Sequence, residues 1–151
     1  MKRSILLTAM ICASASAQAA EPETYTVKVE QTSLVVLGAE NETRAGYSTG
    51  KGMSTWADGK QTHGTNTCAF MTQPPKHNKF TLRQVCDVED DRGTFSVIAY
   101  CNPPKGDPGA MSCVGELVGK TGAYAGRRGR QTSYGKGGKA SIAGYWLPKS
   151  E

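Results

Sequence analysis

The sequence has little helical pattern, few aromatic residues and few histidines. Aromatic residues make up 7% of its 151 residues, and His63 and His77 are the two histidines. No window of about 12 residues repeats apolar residues at helical spacing without an intervening Gly or Pro. No G-x-S-x-G motif is present, so a serine hydrolase triad has no support. A chain of this length forms one ordinary domain, and a nucleotide-binding enzyme domain with appendages would need more residues.

The chain also lacks long apolar runs and strong charge of one sign. Charged residues make up 21% and hydrophobic residues 38%, and this balance argues against wholesale disorder. Beyond residue 20, no apolar run approaches the about 20 residues that a membrane-spanning helix needs. We therefore expect a folded mature chain without a transmembrane segment. No motif calls for a cofactor.

The first 20 residues have the order of a secretory signal peptide. Lys2 and Arg3 are followed by an apolar stretch over residues 4–12 and then by small residues. This series ends in an A-x-A cleavage pattern, and we expect cleavage after Ala19 or Ala20. We therefore predict that residues 1–20 are a signal peptide and that residues 21–151 form one domain, which is periplasmic or secreted.

Two alternatives to a plain signal peptide exist. One is an amphipathic start to a cytosolic protein. The other is lipidation at Cys12, although the small residue expected just before a lipidated cysteine is absent. Cleavage would leave 16 Lys and Arg against 13 Asp and Glu, so the net charge falls from +5 to +3. It would also leave four of the 5 cysteines.

Strand patterns are frequent along the rest of the chain. Tyr25, Val27 and Val29 alternate with polar residues, as on a strand with one buried face. Similar or apolar stretches lie at residues 34–37, 80–88, 95–101, 114–118 and 142–147, and Gly, Pro, Asp and Asn separate them. We predict an all-β fold of antiparallel hairpins, either a small barrel or a sandwich.

The four remaining cysteines are placed symmetrically about two turns. Cys68 and Cys86 are equidistant from position 77, and Cys101 and Cys113 are equidistant from position 107. Residues equidistant from a hairpin tip face each other across the ladder. We therefore favour the disulfides Cys68–Cys86 and Cys101–Cys113 over the other two connectivities. A metal site is the alternative, but no C-x-x-C is present and we predict none.

Glycine is crowded toward the end of the chain, where 11 of the 18 lie from Gly106 onward. Residues 119–130, GKTGAYAGRRGR, resemble the G-G-T-G-x-Y-A-G-x-x-G-x-G segment of the allene oxide cyclase-like barrels. Dirigent proteins have a similar segment. Three other pieces also resemble this group, namely the cysteine-bearing stretch 63–70, Cys86-Asp87 and the closing Gly144-Tyr145-Trp146. Lys120 and Gln131 stand where this group has glycine.

The resemblance implies an eight-stranded antiparallel barrel with a central cavity, often oligomeric. Such a barrel can hold one small ligand. Plant members use the cavity for cyclisation or stereochemical control of apolar substrates. No catalytic residue is carried over from them, because a shared fold does not transfer an activity.

Several side chains are candidates for lining the cavity or for other sites. The pocket candidates are Tyr47, Trp56, His63, Tyr100, Tyr124 and Arg127. Asp87 and residues 89–91 form a dense acidic cluster, which we interpret as a solvated turn because it lacks the pattern of a calcium loop. Residues 117–150 contain no acidic residue, and the basic stretch 120–139 is either a solvated face or a surface for anionic partners.

Three hypotheses for function follow. The first is an exported barrel that binds a small apolar or amphipathic molecule, with a homo-oligomer as a further expectation. The second is a cyclase or isomerase acting by substrate confinement. The third is an interaction module for proteins or anionic surfaces that uses the basic Gly-rich hairpin. Nucleic acid is not expected as a partner of an exported chain. A cavity larger than about 300 Å³ would favour the first two hypotheses.

Overall fold

The computed structural model describes residues 21–38, 43–73 and 79–149. Eight strands form a closed barrel in chain order. Each strand pairs antiparallel with the next, and β8 pairs with β1. The strands are β1 Glu23–Leu37, β2 Ala45–Trp56, β3 Gln61–Thr72, β4 Leu82–Asp90, β5 Gly93–Asn102, β6 Ala110–Gly119, β7 Arg128–Lys136 and β8 Lys139–Trp146. The prediction of an all-β, eight-stranded antiparallel barrel is confirmed.

Alternation of side chains divides each strand between the barrel interior and the outer surface. In β5, Phe95, Val97, Ala99 and Cys101 are buried, whereas the residues between them are partly exposed. Successive side chains of a strand point to opposite faces, and closure of the sheet places one face inside. The apolar alternation in the sequence therefore becomes the inner wall of the barrel.

Both predicted disulfides are present. Cys68 lies directly opposite Cys86 on β3 and β4, and Cys101 lies opposite Cys113 on β5 and β6. Cys68, Cys86 and Cys101 are buried, so both bridges lie on the inner face of the wall. The Pro-rich turn at residues 74–78, which contains His77 and from which the first pair was inferred, lies outside the described residues.

One end of the barrel is closed by aromatic side chains. The rings of Tyr124 and Trp146 lie 4.8 Å apart, and Phe95 packs edge-on against both at 4.9 and 5.2 Å. Trp56 and Tyr25 complete the group, with their rings 5.2 Å apart. Tyr124 and Trp146 are fully buried. Five of the 11 aromatic residues of the chain thus seal one end of the barrel, which we call the floor.

The Gly-rich segment forms the turn that brings Tyr124 into the floor. A 3₁₀ turn, Gly122–Tyr124, connects β6 to β7. A Cβ atom on Gly119 would overlap the carbonyl oxygen of Tyr124, and one on Gly122 would overlap the carbonyl oxygen of Arg92. Gly122 also has a φ of 60°. Glycine is needed at both positions because the backbone segments touch there.

Strand β1 extends past its neighbour β8 at the end of the barrel opposite the floor, which we call the open end. It pairs with β8 only from Glu23 to Glu30, while its pairing with β2 continues to Leu37. A register shift between Gln31 and Ser33 marks a bulge at the point where β8 ends. The barrel wall is therefore taller at β1 than at β8.

None of the described residues forms a helix long and apolar enough to cross a membrane.

Candidate ligand cavity

A cavity of about 360 Å³ occupies the barrel interior above the aromatic floor. Its apolar wall comes from inward residues of four strands: Val27, Val88, Val97, Ala99 and Ile142. Glycines at inward positions, including Gly50, Gly52 and Gly64, also line it. Because glycine adds no side chain, these positions leave open the space that larger residues would fill. The cavity reaches the turn Gly137-Gly138, so its mouth is at the open end.

Two tyrosine hydroxyls lie at the base of the cavity. Tyr124 donates to Asp90 Oδ2 at 2.6 Å, and Tyr25 donates to Gln131 Oε1 at 3.0 Å. Burial raises the pKa of Tyr25, and burial together with the neighbouring Asp90 raises the pKa of Tyr124. Both phenols are therefore protonated hydrogen-bond donors at neutral pH.

Both oxygens of Asp90 are occupied by neighbouring donors. Oδ2 accepts from Tyr124, and Oδ1 accepts from the backbone N–H of Arg92 at 2.8 Å. The carboxylate thus fixes the turn after β4 and orients the Tyr124 ring. Its role in the geometry is to hold the floor in place.

An ion cluster lies outside the floor, at the closed end. The carboxylate of Glu23 contacts Arg92 at 2.8 Å and Arg127 at 2.7 Å. The guanidinium of Arg92 stacks 3.8 Å from the ring centre of Trp56, which is the geometry of a cation–π contact. Burial by itself would raise the pKa of Glu23, but hydrogen bonds from Arg92 and Arg127 outweigh it and lower that pKa. The cluster ties the start of β1 to two distant turns.

A belt of amides and hydroxyls lines the cavity among the apolar wall residues, since Asn66 lies opposite Val88 and Ser133 opposite Ile142. It contains Gln31, Ser48, Asn66, Gln84, Gln131 and Ser133. Asn66 Nδ2 donates to Cys68 Sγ at 3.3 Å, and Gln84 Nε2 donates to Cys86 Sγ at 2.9 Å. These bonds direct the amide nitrogens to the disulfide, so the amide oxygens are acceptors available to a bound molecule.

Lysines flank the mouth on the β7–β8 side. Lys136 and Lys139 line the cavity and are exposed, and Lys136 pairs with Asp107 from the β5–β6 connection. Tyr134 also donates to Asp107. The mouth therefore carries charged side chains of both signs, whereas the belt below it is neutral.

The six predicted pocket residues fall in three places. Trp56 and Tyr124 line the cavity. Tyr47, His63 and Tyr100 face outward; Tyr47 is 50% exposed, His63 is exposed, and Tyr100 packs against Phe80 at 5.4 Å. Arg127 belongs to the ion cluster beyond the floor.

Parity along the strand explains the outward positions. Tyr47 and His63 each lie one residue from an inward position, since Ser48 and Gly64 line the cavity. Tyr47 and His63 were predicted to line the cavity from their residue types alone. Residue type does not show which face of a strand a side chain occupies, and adjacent residues face opposite sides.

Several lining residues were missed from the sequence, namely Tyr25, Asn66, Gln84, Asp90 and Gln131. The disulfide cysteines could have identified two of them. Asn66 and Gln84 each lie two residues from an inward cysteine on the same strand, so they must share its face. Tyr25 has the same parity as Val27 and Val29.

The acidic cluster is divided between the interior and the surface. Asp90 lies at the cavity base, whereas Asp87 is on the outside and pairs with Lys120 at 2.7 Å. In the basic stretch, Arg128 and Arg130 are exposed on β7. Within the described ranges, no three His, Cys, Asp or Glu side chains are grouped as a metal site requires.

No family model, curated protein or solved structure matches this chain. The relationship to allene oxide cyclase-like barrels therefore stays a prediction that rests on residues 119–130 and the three shorter pieces.

Proposed function

We propose that this protein is exported and binds one small amphipathic molecule inside its barrel. The observation that carries the proposal is the cavity of about 360 Å³, with an aromatic floor, apolar walls and a neutral polar belt. Ligand pockets usually measure about 300–1,000 Å³ and combine apolar walls with a few polar groups. The cavity lies at the small end of this range, so it suits a compact ligand.

The arrangement of the wall suggests how such a ligand is oriented. Its apolar part would lie on Trp56, Phe95 and Val97, near the floor. Its polar groups would meet the amide oxygens of Asn66 and Gln84 and the hydroxyl of Ser133. A neutral hydroxyl or amide donor suits these acceptors best, because burying a charge without a partner is costly.

The proposal includes a location in the periplasm or outside the cell. Two disulfides fit an oxidising environment such as the periplasm or the extracellular space. The signal-like residues 1–20 lie outside the described residues and support export through their sequence alone. Membership of the allene oxide cyclase-like barrels would agree with a ligand-binding interior.

Enzymatic conversion by confinement is a second candidate. Asp90 and Tyr124 form a carboxylate–phenol pair at the cavity base. This pair favours the candidate, because acid–base chemistry requires such groups within reach of a substrate. Binding without conversion is preferred here, since both Asp90 oxygens already accept hydrogen bonds.

Binding can be tested with a neutral fluorescent probe, N-phenyl-1-naphthylamine, and with variants of two adjacent residues. Ser133 faces the cavity and Thr132 faces outward on the same strand. We expect Ser133→Phe to fill part of the cavity and weaken probe binding at least about tenfold, which is about 1.4 kcal/mol. Thr132→Phe adds the same ring outside and should bind the probe like the parent chain.

Unchanged probe binding by a folded Ser133→Phe protein would place the probe elsewhere and overturn the proposal. Native mass spectrometry of protein purified from its own host would identify a retained ligand. A product recovered from that ligand, and lost in Asp90→Asn, would favour the enzyme instead.

A further inference from the structure

Among the described residues, no strand pairs with the second edge of β1 beyond Gln31, and we call this the free edge. From Ser33 to Leu37, β1 pairs with β2 on one side. On the other side of β1, pairing with β8 stops at Glu30, which lies opposite Lys139, the first residue of β8. The last backbone bond across this gap, among the described residues, joins the N–H of Gln31 to the carbonyl of Gly138 at 2.7 Å. Backbone groups beyond that bond face outward and can pair with another strand.

Exposed apolar side chains accompany this edge. Leu34 is 53% exposed, Val36 44% and Leu37 63%. Leu34 lies opposite Ser48, which lines the cavity, whereas Val35 lies opposite Tyr47 on the outer surface. Apolar residues therefore occupy both faces of the strand, so a neighbouring strand could bury side chains on either side.

The usual protection of a free edge is weak in this segment. Edge strands commonly carry a charged residue or proline that blocks pairing with another chain. Residues 31–38 are Gln, Thr, Ser, Leu, Val, Val, Leu and Gly, and none is charged or proline. The bulge at Gln31/Ser33 lies before the apolar residues and leaves Ser33–Leu37 regular.

We propose that Ser33–Leu37 is a dimer interface, at which the β1 edges of two copies pair antiparallel across a two-fold axis. In such an interface the same patch serves both copies. A charge near the axis would face its own copy and be repelled, but this segment has none. Val35 is the central residue of Ser33–Leu37, so Leu34 lies beside the axis and is a diagonal cross-strand neighbour of its own copy. Two barrels then share one continuous sheet, independently of any ligand in the cavities.

A charge-swap experiment tests this interface. We expect the parent chain to be dimeric by analytical ultracentrifugation at high concentration and to dissociate on dilution. Leu34→Lys and Leu34→Glu should each be monomeric, because two like charges would lie close together on either side of the axis. Their mixture should restore a dimer that contains one copy of each. Hydrogen exchange should show protection of the Ser33–Leu37 amides in the dimer and its loss on dilution.

Val114→Lys provides the matched control. Val114 is 50% exposed, but β6 is paired on both sides with β5 and β7. This variant should remain dimeric. Circular dichroism of each variant checks the fold, which should persist because these side chains are largely exposed.

Three results would overturn the proposal. The first is a parent chain that stays monomeric at every concentration. The second is a dimer that persists in both Leu34 variants, which would place the interface elsewhere. The third is a monomer that sediments with phospholipid vesicles through Leu34 and Leu37, which would make the apolar edge a lipid-binding surface.

Discussion

Tyr124 and Asp90 are joined by a hydrogen bond of 2.6 Å from the phenol hydroxyl to Oδ2. The two residues are 34 positions apart, one in the 3₁₀ turn and the other at the end of β4. Because Asp90 also accepts from the backbone of Arg92, the bond connects the floor to the β4–β5 turn. The shape of the cavity base therefore depends on a polar contact as well as on aromatic packing.

Replacement of Tyr124 by Phe should destabilise the barrel. The ring would still fit, but Oδ2 of Asp90 would lose its donor. Asp90 is part-buried, and a hydrogen bond to a charged group contributes about 1.5–3 kcal/mol, so we expect a loss of this order from urea unfolding. Tyr134→Phe is the control, since Tyr134 is exposed where it contacts Asp107. An equal loss in both variants would refute a special role for the floor contact.

Acid should weaken the ion cluster at Glu23. Its pKa is lower in the folded chain than its ordinary value of 4.5. The ionised carboxylate therefore stabilises the fold above that value, and this stabilisation is lost as the pH falls through the lowered folded-state pKa. Glu23→Gln should be less stable than the parent chain at neutral pH, and the difference should shrink in acid.

Urea midpoints measured from neutral to acidic pH would show this convergence. Glu30→Gln is the matched control, because Glu30 is 60% exposed and lies 3.9 Å from Lys51. Its difference from the parent chain should be small at every pH. A constant gap for Glu23→Gln across the pH range would argue against the predicted linkage.

Removal of either disulfide should lower stability substantially. The bridges join residues 18 and 12 positions apart, and loops of this length correspond to about 3 kcal/mol in the chain-entropy model. The double replacements Cys68→Ala with Cys86→Ala, and Cys101→Ala with Cys113→Ala, should each show a loss of this order in urea. Peptide mapping without reductant should recover the two pairs, and a Cys86–Cys101 linkage would contradict the observed register.

Substitution of Gly119 by Ala should disturb the Gly-rich turn. Its Cβ would overlap the carbonyl oxygen of Tyr124, which is backbone and cannot rotate away. Overpacking of this kind costs about 1–3 kcal/mol. At Gly135 the nearest atom would be 3.3 Å away, so Gly135→Ala is the control and should lose much less. Thermal unfolding of both proteins would measure the difference.

Local patterns in the sequence predict the class of fold and the disulfide pairing. Period-two alternation in segments such as Phe95–Cys101 predicts strands because side-chain direction along a strand is a local property. The symmetry of Cys68 and Cys86, and of Cys101 and Cys113, predicts their pairing because hairpin register follows from distance to the turn. Crowded glycines after Gly106 indicated close turns.

Strand register and barrel closure set which side chains form the cavity. Tyr47 and His63 face outward while their neighbours Ser48 and Gly64 face inward, and closure of the sheet sets this choice. The contact of Glu23 with Arg127 spans 104 positions, so no local pattern reveals it. The free edge of β1 likewise depends on where β8 ends beside it. These features arise from register and closure among distant strands, which local side-chain alternation does not specify.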